Sequence, residues 1–280
     1  MPQPAPAIAT DGLPARETGP WVLDKKYYFE RYLDIFTRGV GKKWAGKLAY
    51  VDFFCGPGRS IIRETHEEVE GSPSLSLKCE FGTYVFVDLP EVIATLRKRL
   101  QNHPKFCQVS FVEGDCNLRV PEILRVLPAD HLALAFIDPT GLQIQFKTVR
   151  DLVHNRKVDL LMTIQFGMGI CMNLSQYLQS VEDNALTDFL GNADWRNDAA
   201  AGGSPSQVGR RILDRYAEQL RHLGYSTVKD REIPVRTSQT NLLLYFMVLA
   251  SRHPRGEEFW RKVTQIGPSG QRMLNLPVED

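Results

Sequence analysis

Apolar residues along this chain switch between two spacings, and the switches mark its elements. In residues 23–40, Tyr27, Tyr28, Tyr32, Leu33, Ile35 and Phe36 recur at helical intervals among Asp24, Lys25, Lys26, Glu30, Arg31 and Asp34, which predicts an amphipathic helix. Residues 48–54 form the next segment, a nearly unbroken apolar run interrupted by Asp52 alone. The run is too short for a helix and rich in β-formers, as a strand covered on both faces requires. It stops at Gly56-Pro57-Gly58, where two residues without a Cβ let the backbone turn sharply and approach a ligand closely.

The pattern then repeats. Predicted strands at 84–87, 109–112, 132–137 and 158–164 end in Asp88, in Glu113-Gly114-Asp115, in Asp138-Pro139-Thr140-Gly141 and in Gln165-Phe166-Gly167. Helical patterns at 91–102, 121–127 and 146–154 separate them, and Gly71-Ser72-Pro73 opens a short helix to about residue 79, with Ser72 a candidate cap. Parallel neighbours need such crossovers, so the alternation predicts a parallel sheet with helices on both faces. Segments 225–235 and 241–250 are joined by residues 236–240 only, too short for a crossover helix, and are expected to pair antiparallel. The expected class is α/β: a doubly wound Rossmann-like sheet of about seven strands, five parallel plus a terminal antiparallel pair.

Outside this rhythm, residues 1–20 contain Pro2, Pro4, Pro6, Pro14 and Pro20 and are expected to be a disordered tail. The charged stretch 63–70 reads as a solvated loop. Residues 168–205, ending in Gly202-Gly203-Ser204-Pro205, read as an insertion or lid, followed by helices at 206–223 and 257–264. One domain over 21–265 with a tail at 266–280 is expected, since at 280 residues a single α/β domain can bury about three quarters of its unfolded surface.

The formal net charge of +1 exerts no global pull on a polyanion. A nucleic-acid partner would need a local patch, for which Arg97-Lys98-Arg99, Arg210-Arg211 and Arg252 with Arg255 are the candidates. Five cysteines without a CxxC pair suggest free thiols in a reducing cytoplasm, and the six scattered histidines suggest no metal site. No stretch resembles a signal peptide or reaches the roughly 18 apolar residues of a membrane span, so a cytoplasmic location away from membranes is expected.

The strand ends carry the candidate chemistry. Five parallel strands with a terminal antiparallel pair is the layout of S-adenosylmethionine-dependent methyltransferases. Their cofactor asks for close backbone approach, a carboxylate for the ribose hydroxyls and an acceptor for the adenine amine. Asp52 with Gly56 and Gly58, then Asp88, Asp115 and Asp138, fall on one edge of the predicted sheet. Singly, each acid also suits a helix cap or a turn. A dinucleotide fingerprint fits less well: Gly58 is followed by no third glycine, and Asp88 comes 88 − 58 = 30 residues later, against about 20.

The block YVDFFCGPGRS, Gly71-Ser72-Pro73, Val87-Asp88, the block FIDPTG and the late Arg252-His253-Pro254-Arg255-Gly256 with Phe259-Trp260 together resemble the three-Cys-motif partner proteins, over most of residues 21–263. Members of that bacterial family look like class I methyltransferases and are typically encoded beside a protein with three clustered cysteines. The resemblance implies S-adenosylmethionine as cofactor, held by Asp52, Phe53, Gly56, Pro57 and Gly58, with Asp88 and Leu89 at the ribose and Asp115 and Cys116 near the adenine. It implies a catalytic Asp138 facing the methyl group, acceptor contacts from Pro139, Thr140 and Gln165, and a three-cysteine-motif protein as partner. Amino-methyltransferases acting on DNA bases carry a second proline and an aromatic after the first proline of this motif. Here Thr140-Gly141 stand there, so the base-stacking element is missing, and no Pro-Cys nucleophile serves carbon methylation. The expected function is a methyltransferase of open acceptor; a non-catalytic partner subunit and a nucleic-acid processing component are the alternatives.

Overall fold

The computed structural model describes residues 7–180, 184–225, 232–237 and 239–271. Where the sequence suggested a single domain, contacts cluster into two compact units, Met1–Phe136 and Ile137–Asp280. In chain order the first holds β1 (Ala7–Ile8), β2 (Pro14–Thr18), α1 (Val22–Val40), β3 (Leu48–Phe53), β4 (Arg59–Ile62), β5 (Glu68–Glu70), α2 (Ser72–Leu77), β6 (Thr83–Asp88), α3 (Pro90–Leu100), β7 (Val109–Glu113), α4 (Val120–Val126) and β8 (Leu132–Ile137) up to its last residue. The second holds α5 (Phe146–Val153), β9 (Lys157–Ile164), a π-helical turn Phe166–Cys171, α6 (Leu174–Gln179), α7 (Ala185–Leu190), α8 (Trp195–Ala200), α9 (Pro205–His222), β10 (Ile233–Arg236), β11 (Leu243–Ala250) and α10 (Pro254–Thr264). The strand order is β10-β11-β9-β8-β3-β6-β7 in a seven-stranded sheet and β1-β2-β4-β5 in a smaller one. The expected α/β class is what the structure has, and the order of the larger sheet turns back beside β3, a topological switch point.

In the first unit, β3 is buried at all six positions, and the apolar face of α1 packs Phe29 against Tyr50 and Phe136 at centroid distances of 6.3 and 4.5 Å. Tyr50, Phe81, Tyr84 and Phe86 extend this aromatic layer, with centroids 5.6–6.4 Å apart. Rings at such spacings, edge-on or tilted, add directional attraction to the area they bury.

Three expectations fail here. Residues 7–18 are not a loose tail: Asp11-Gly12 turns the chain, with Gly12 at φ +74° and Asp11 accepting from the Leu13 amide, so β1 and β2 pair antiparallel. Proline is tolerated at the start of β2, where no ladder donor is needed. The charged stretch 63–70 is not all loop either. Its Glu-Val-Glu end forms β5, which pairs with β4 and turns Val69 into a small core with Ile62 and Val22, while Glu68 and Glu70 stay half-buried. Also, α2 is capped by Gly71 rather than Ser72, because the Gly71 amide is bound to the Gly58 carbonyl at 2.9 Å and fixes where the helix starts.

In the second unit, β11 pairs antiparallel with β10, as the short connection required, and also with β9. β10 begins only at Ile233; Tyr225 is outside it, its hydroxyl donating to the Val158 carbonyl at 2.7 Å, and the intervening 226–231 lie outside the described residues, as does most of the expected tail at 266–280. The expected insertion at 168–205 is largely helical, and α9 starts on a capping box formed by Ser204 and Gln207. A Cβ on Gly167 would lie 1.9 Å from the Leu243 carbonyl oxygen, so the π-helical turn can lie against β11 only with glycine there.

β9 also buries an acid. Burial raises the Asp159 carboxyl from 3.8 to about 6, against the opposing pull of the Ser251 hydroxyl and of the Arg252 amide and charge. The native chain thus keeps this proton to higher pH than the unfolded chain. Stability should therefore fall as pH rises from about 4 to about 6, by about 3 kcal/mol in all. Urea unfolding at pH 4 and pH 7 checks this: Asp159→Asn should remove that share of the pH slope, and an unchanged slope would assign it elsewhere.

Candidate functional site

β3, β6 and β7 run parallel, with Phe53 level with Val87 and Asp88 level with Glu113. Their carboxyl ends therefore share one edge, and the segments leaving them meet there. The Cys55 amide donates to the Val87 carbonyl at 3.2 Å, the Gly56 amide to Asp88 Oδ2 at 2.8 Å, and the Gly114 amide to the Asp88 carbonyl at 2.9 Å. Asp88 Oδ1 accepts from the Leu89 amide at 2.8 Å. One residue at the end of β6 thus ties together the segments that leave all three strands.

That tie leaves a defined acceptor. Burial pushes the Asp88 carboxyl above its ordinary value, while the Gly56 and Leu89 amides and the charge of Arg16 hold it down. Each carboxylate oxygen has a second lone pair, so the group can still accept from two vicinal hydroxyls. The turn beside it is left-handed at Gly56 (φ +69°) and Gly58 (φ +87°), and also at Phe54 (φ +62°), an outlier for a bulky residue. A Cβ on Gly56 would meet nothing within 4 Å, so the chain is open to a ligand at that point. Gly58 instead lies beneath α3, where a Cβ would come 2.9 Å from Leu96 Cδ1. Leu89 and Leu118, 49% and 75% exposed, add apolar surface after β6 and β7.

The expected cofactor residues divide accordingly. Gly56, Pro57, Asp88 and Leu89 are accessible in part, and Asp115 is exposed, accepting from the Asn117 amide at 2.9 Å. Asp52 and Phe53 are 0% exposed; Asp52 accepts from the buried Tyr50 hydroxyl at 2.8 Å. The surface expected from them is presented by Phe54, Gly56 and Pro57 instead. Cys116 is buried, and burial with Asp115 and Asp88 nearby pushes its thiol up to about 12, leaving it a neutral packing group. Phe54 and Leu118 were missed: no pattern marks a phenylalanine for a left-handed backbone, and one leucine in a polar loop gives no periodicity.

The residues expected at the acceptor lie in the second unit. Asp138, 9% exposed, accepts from the Thr163 hydroxyl at 2.7 Å, and Gln165 donates its amide to the Pro139 carbonyl at 2.7 Å. Pro139 and Gln165 are buried, and Thr140 is exposed. Gln143, also missed, closes the loop by donating to Thr140 Oγ1 at 2.8 Å and accepting from the Gly141 amide at 2.7 Å.

Five arginines of the basic clusters have structural partners. Arg97 pairs with Glu113 over the Phe111 ring, Arg210 pairs with Glu232 over Phe246, and Arg252 donates to the carbonyls of Val153, Arg156 and Leu223. Arg99 binds Asp11, and Arg211 binds the carbonyls of Asp198 and Gly202. Among the described residues no helix is long and apolar enough to cross a membrane, and no three His, Cys, Asp or Glu side chains converge on a possible metal position.

No protein-family model matches the chain, and no curated protein matches its sequence. Among solved structures, the chain is similar to protein LPL1258 from Legionella pneumophila str. Philadelphia 1, with TM-score 0.52 and 11% identity over 88% of this chain and 92% of that one. That likeness shows the fold. Weaker similarities include the O-methyltransferase from Bacillus cereus in complex with SAH (TM-score 0.46, 11% identity, covering 86% and 85%). Another is the O-methyltransferase TomG from Streptomyces achromogenes in complex with SAM (TM-score 0.44, 13% identity, covering 80% and 79%).

The two glycines of the turn should respond differently to alanine. Gly56→Ala meets only the left-handed penalty of about 1 kcal/mol, whereas Gly58→Ala adds overpacking against Leu96 and should cost about 3 kcal/mol. Urea unfolding of both variants measures the difference; equal losses would contradict the packing described for Gly58.

Proposed function

We propose that this chain binds S-adenosylmethionine at the carboxyl edge of β3, β6 and β7 and transfers its methyl group, working with a three-cysteine-motif protein as the family resemblance implies. The observation that carries the reading is the Asp88 carboxylate, oriented by the Gly56 and Leu89 amides beside a turn that is open at Gly56. This supports a ribose held through its two hydroxyls on Asp88, an adenine near Asp115 against the exposed Leu89 and Leu118, and the amino-acid tail along Phe54 to Pro57. Asp138 is assigned the acceptor, whose alignment with the sulfonium supplies most of what methyl transfer requires. Its bond from Thr163 fixes the carboxylate's orientation, and the acceptor itself is left open.

A second reading, a partner subunit that binds without catalysing, is favoured by one feature. The Asp138-Pro139-Thr140-Gly141 loop is tied internally, with Gln165 on the Pro139 carbonyl and Gln143 across Thr140 and Gly141. Methyl transfer by the purified chain alone would end that reading.

Titration calorimetry with S-adenosylmethionine and S-adenosylhomocysteine tests the first reading. The native chain should bind both, and Asp88→Ala should weaken each by at least about ten-fold, as expected when hydrogen bonds to a charged group are lost. No heat from the native chain at millimolar ligand would remove the cofactor and the reaction together.

A further inference from the structure

The segment that the sequence presented as a tail is built into the surroundings of the Gly56-Pro57-Gly58 turn. Arg99, on α3 and only 6% exposed, holds it there: the guanidinium donates to the Asp11 carboxylate and the Pro14 carbonyl on one side and to the Pro57 carbonyl on the other. Arg59 pairs with Glu68 at 2.6 Å, and Glu68 accepts from the Thr10 hydroxyl and amide. β2 then runs parallel to β4, with Arg16 level with Ser60, two residues beyond Gly58. The strap is thus fixed at both ends of β2.

Arg16 is the exception in this network. Arg59 and Arg99 are each committed to carboxylates, but the side chain of Arg16, half-buried on β2, forms no hydrogen bond or ion pair among the described residues. Its charge nevertheless acts on Asp88. Keeping a half-buried guanidinium without a partner is unfavourable, so its position suits an anion that arrives with a ligand. Resting on the donor reading above, the choice of anion is narrow. S-adenosylmethionine carries a sulfonium and an ammonium, both of which Arg16 repels, and a single carboxylate, which it attracts.

We propose that Arg16 receives the carboxylate of the donor's amino-acid tail, so that the N-terminal strap forms one wall of the cofactor site. Asp88 then selects the nucleoside and Arg16 the tail. A bound donor would also hold the strap down, since it would link β2 to the strand ends of the main sheet.

The test compares ligands with and without that carboxylate on the full chain. Calorimetry is run with S-adenosylhomocysteine, its methyl ester and 5′-methylthioadenosine, which keeps the nucleoside and thioether but lacks the tail. Native protein should bind S-adenosylhomocysteine about ten-fold or more tightly than the ester, and Arg16→Gln should lose about that factor for S-adenosylhomocysteine alone. Binding of 5′-methylthioadenosine, retained within about two-fold, reports that the variant is folded. Equal loss for all three ligands, or no loss for any, overturns the role of Arg16 while the donor site stands. If Arg16→Gln does not fold, the ester comparison on native protein decides: equal affinity for acid and ester overturns the proposal. Failure of the native chain to bind any of the three overturns the donor reading itself.

Discussion

The arrangement of the first unit depends on one hydrogen-bonded acid. Asp88 stands at the end of β6, accepts from Gly56 and Leu89 through its carboxylate, and accepts from Gly114 through its carbonyl. Each of those amides belongs to a segment that has just left a strand or is about to enter a helix, where backbone donors lack ladder partners. A single side chain with two acceptor oxygens satisfies two of them and so sets the path of the turn after β3. The same constraint leaves a carboxylate whose orientation is fixed before any ligand arrives, the condition under which polar recognition costs least to reorganise.

Around that acid the chain adds an element that the main sheet does not require. The small sheet β1-β2-β4-β5 takes in both the N-terminal residues and the charged stretch after the Gly-Pro-Gly turn. It buries Ile62 and Val69 against Val22, and Arg99 joins it to the turn through Asp11 and Pro57. Exposed ion pairs of this kind contribute little each, but Arg99 is enclosed and bonded to a carboxylate and two carbonyls, where loss of one partner leaves a buried charge poorly satisfied. The strap is therefore an integral part of the unit, and its contact with the turn links whatever binds there to the first residues of the chain.

Much of this was legible in the sequence, for identifiable reasons. The β3 run, the crossover helices and the antiparallel end derive from apolar spacing and connection length, which are local properties, and Asp88 was found because it ends a strand. The features that were missed depend on partners distant in sequence. Five prolines concealed the Asp11-Gly12 hairpin, and the Glu-Val-Glu of β5 read as charge because its one buried residue needs Ile62 and Val22 to complete a core. Asp52 and Phe53 carry the right chemistry at the right strand end, yet both are fully buried, and the left-handed Phe54 takes their place at the surface. Arg16 gave no signal at all: an arginine in a proline-rich stretch acquires meaning only when β2 is paired with β4.

On this view the segments after β3, β6 and β7 form one nucleoside-sized recognition surface organised by Asp88. Amide hydrogen exchange, read residue by residue with and without S-adenosylhomocysteine, tests this most directly. The predicted result is added protection at Gly56, Leu89 and Gly114 together with the strap around Arg16, since all four border the same bound ligand. Protection that left Gly56 and Leu89 unchanged while appearing elsewhere in the chain would contradict it.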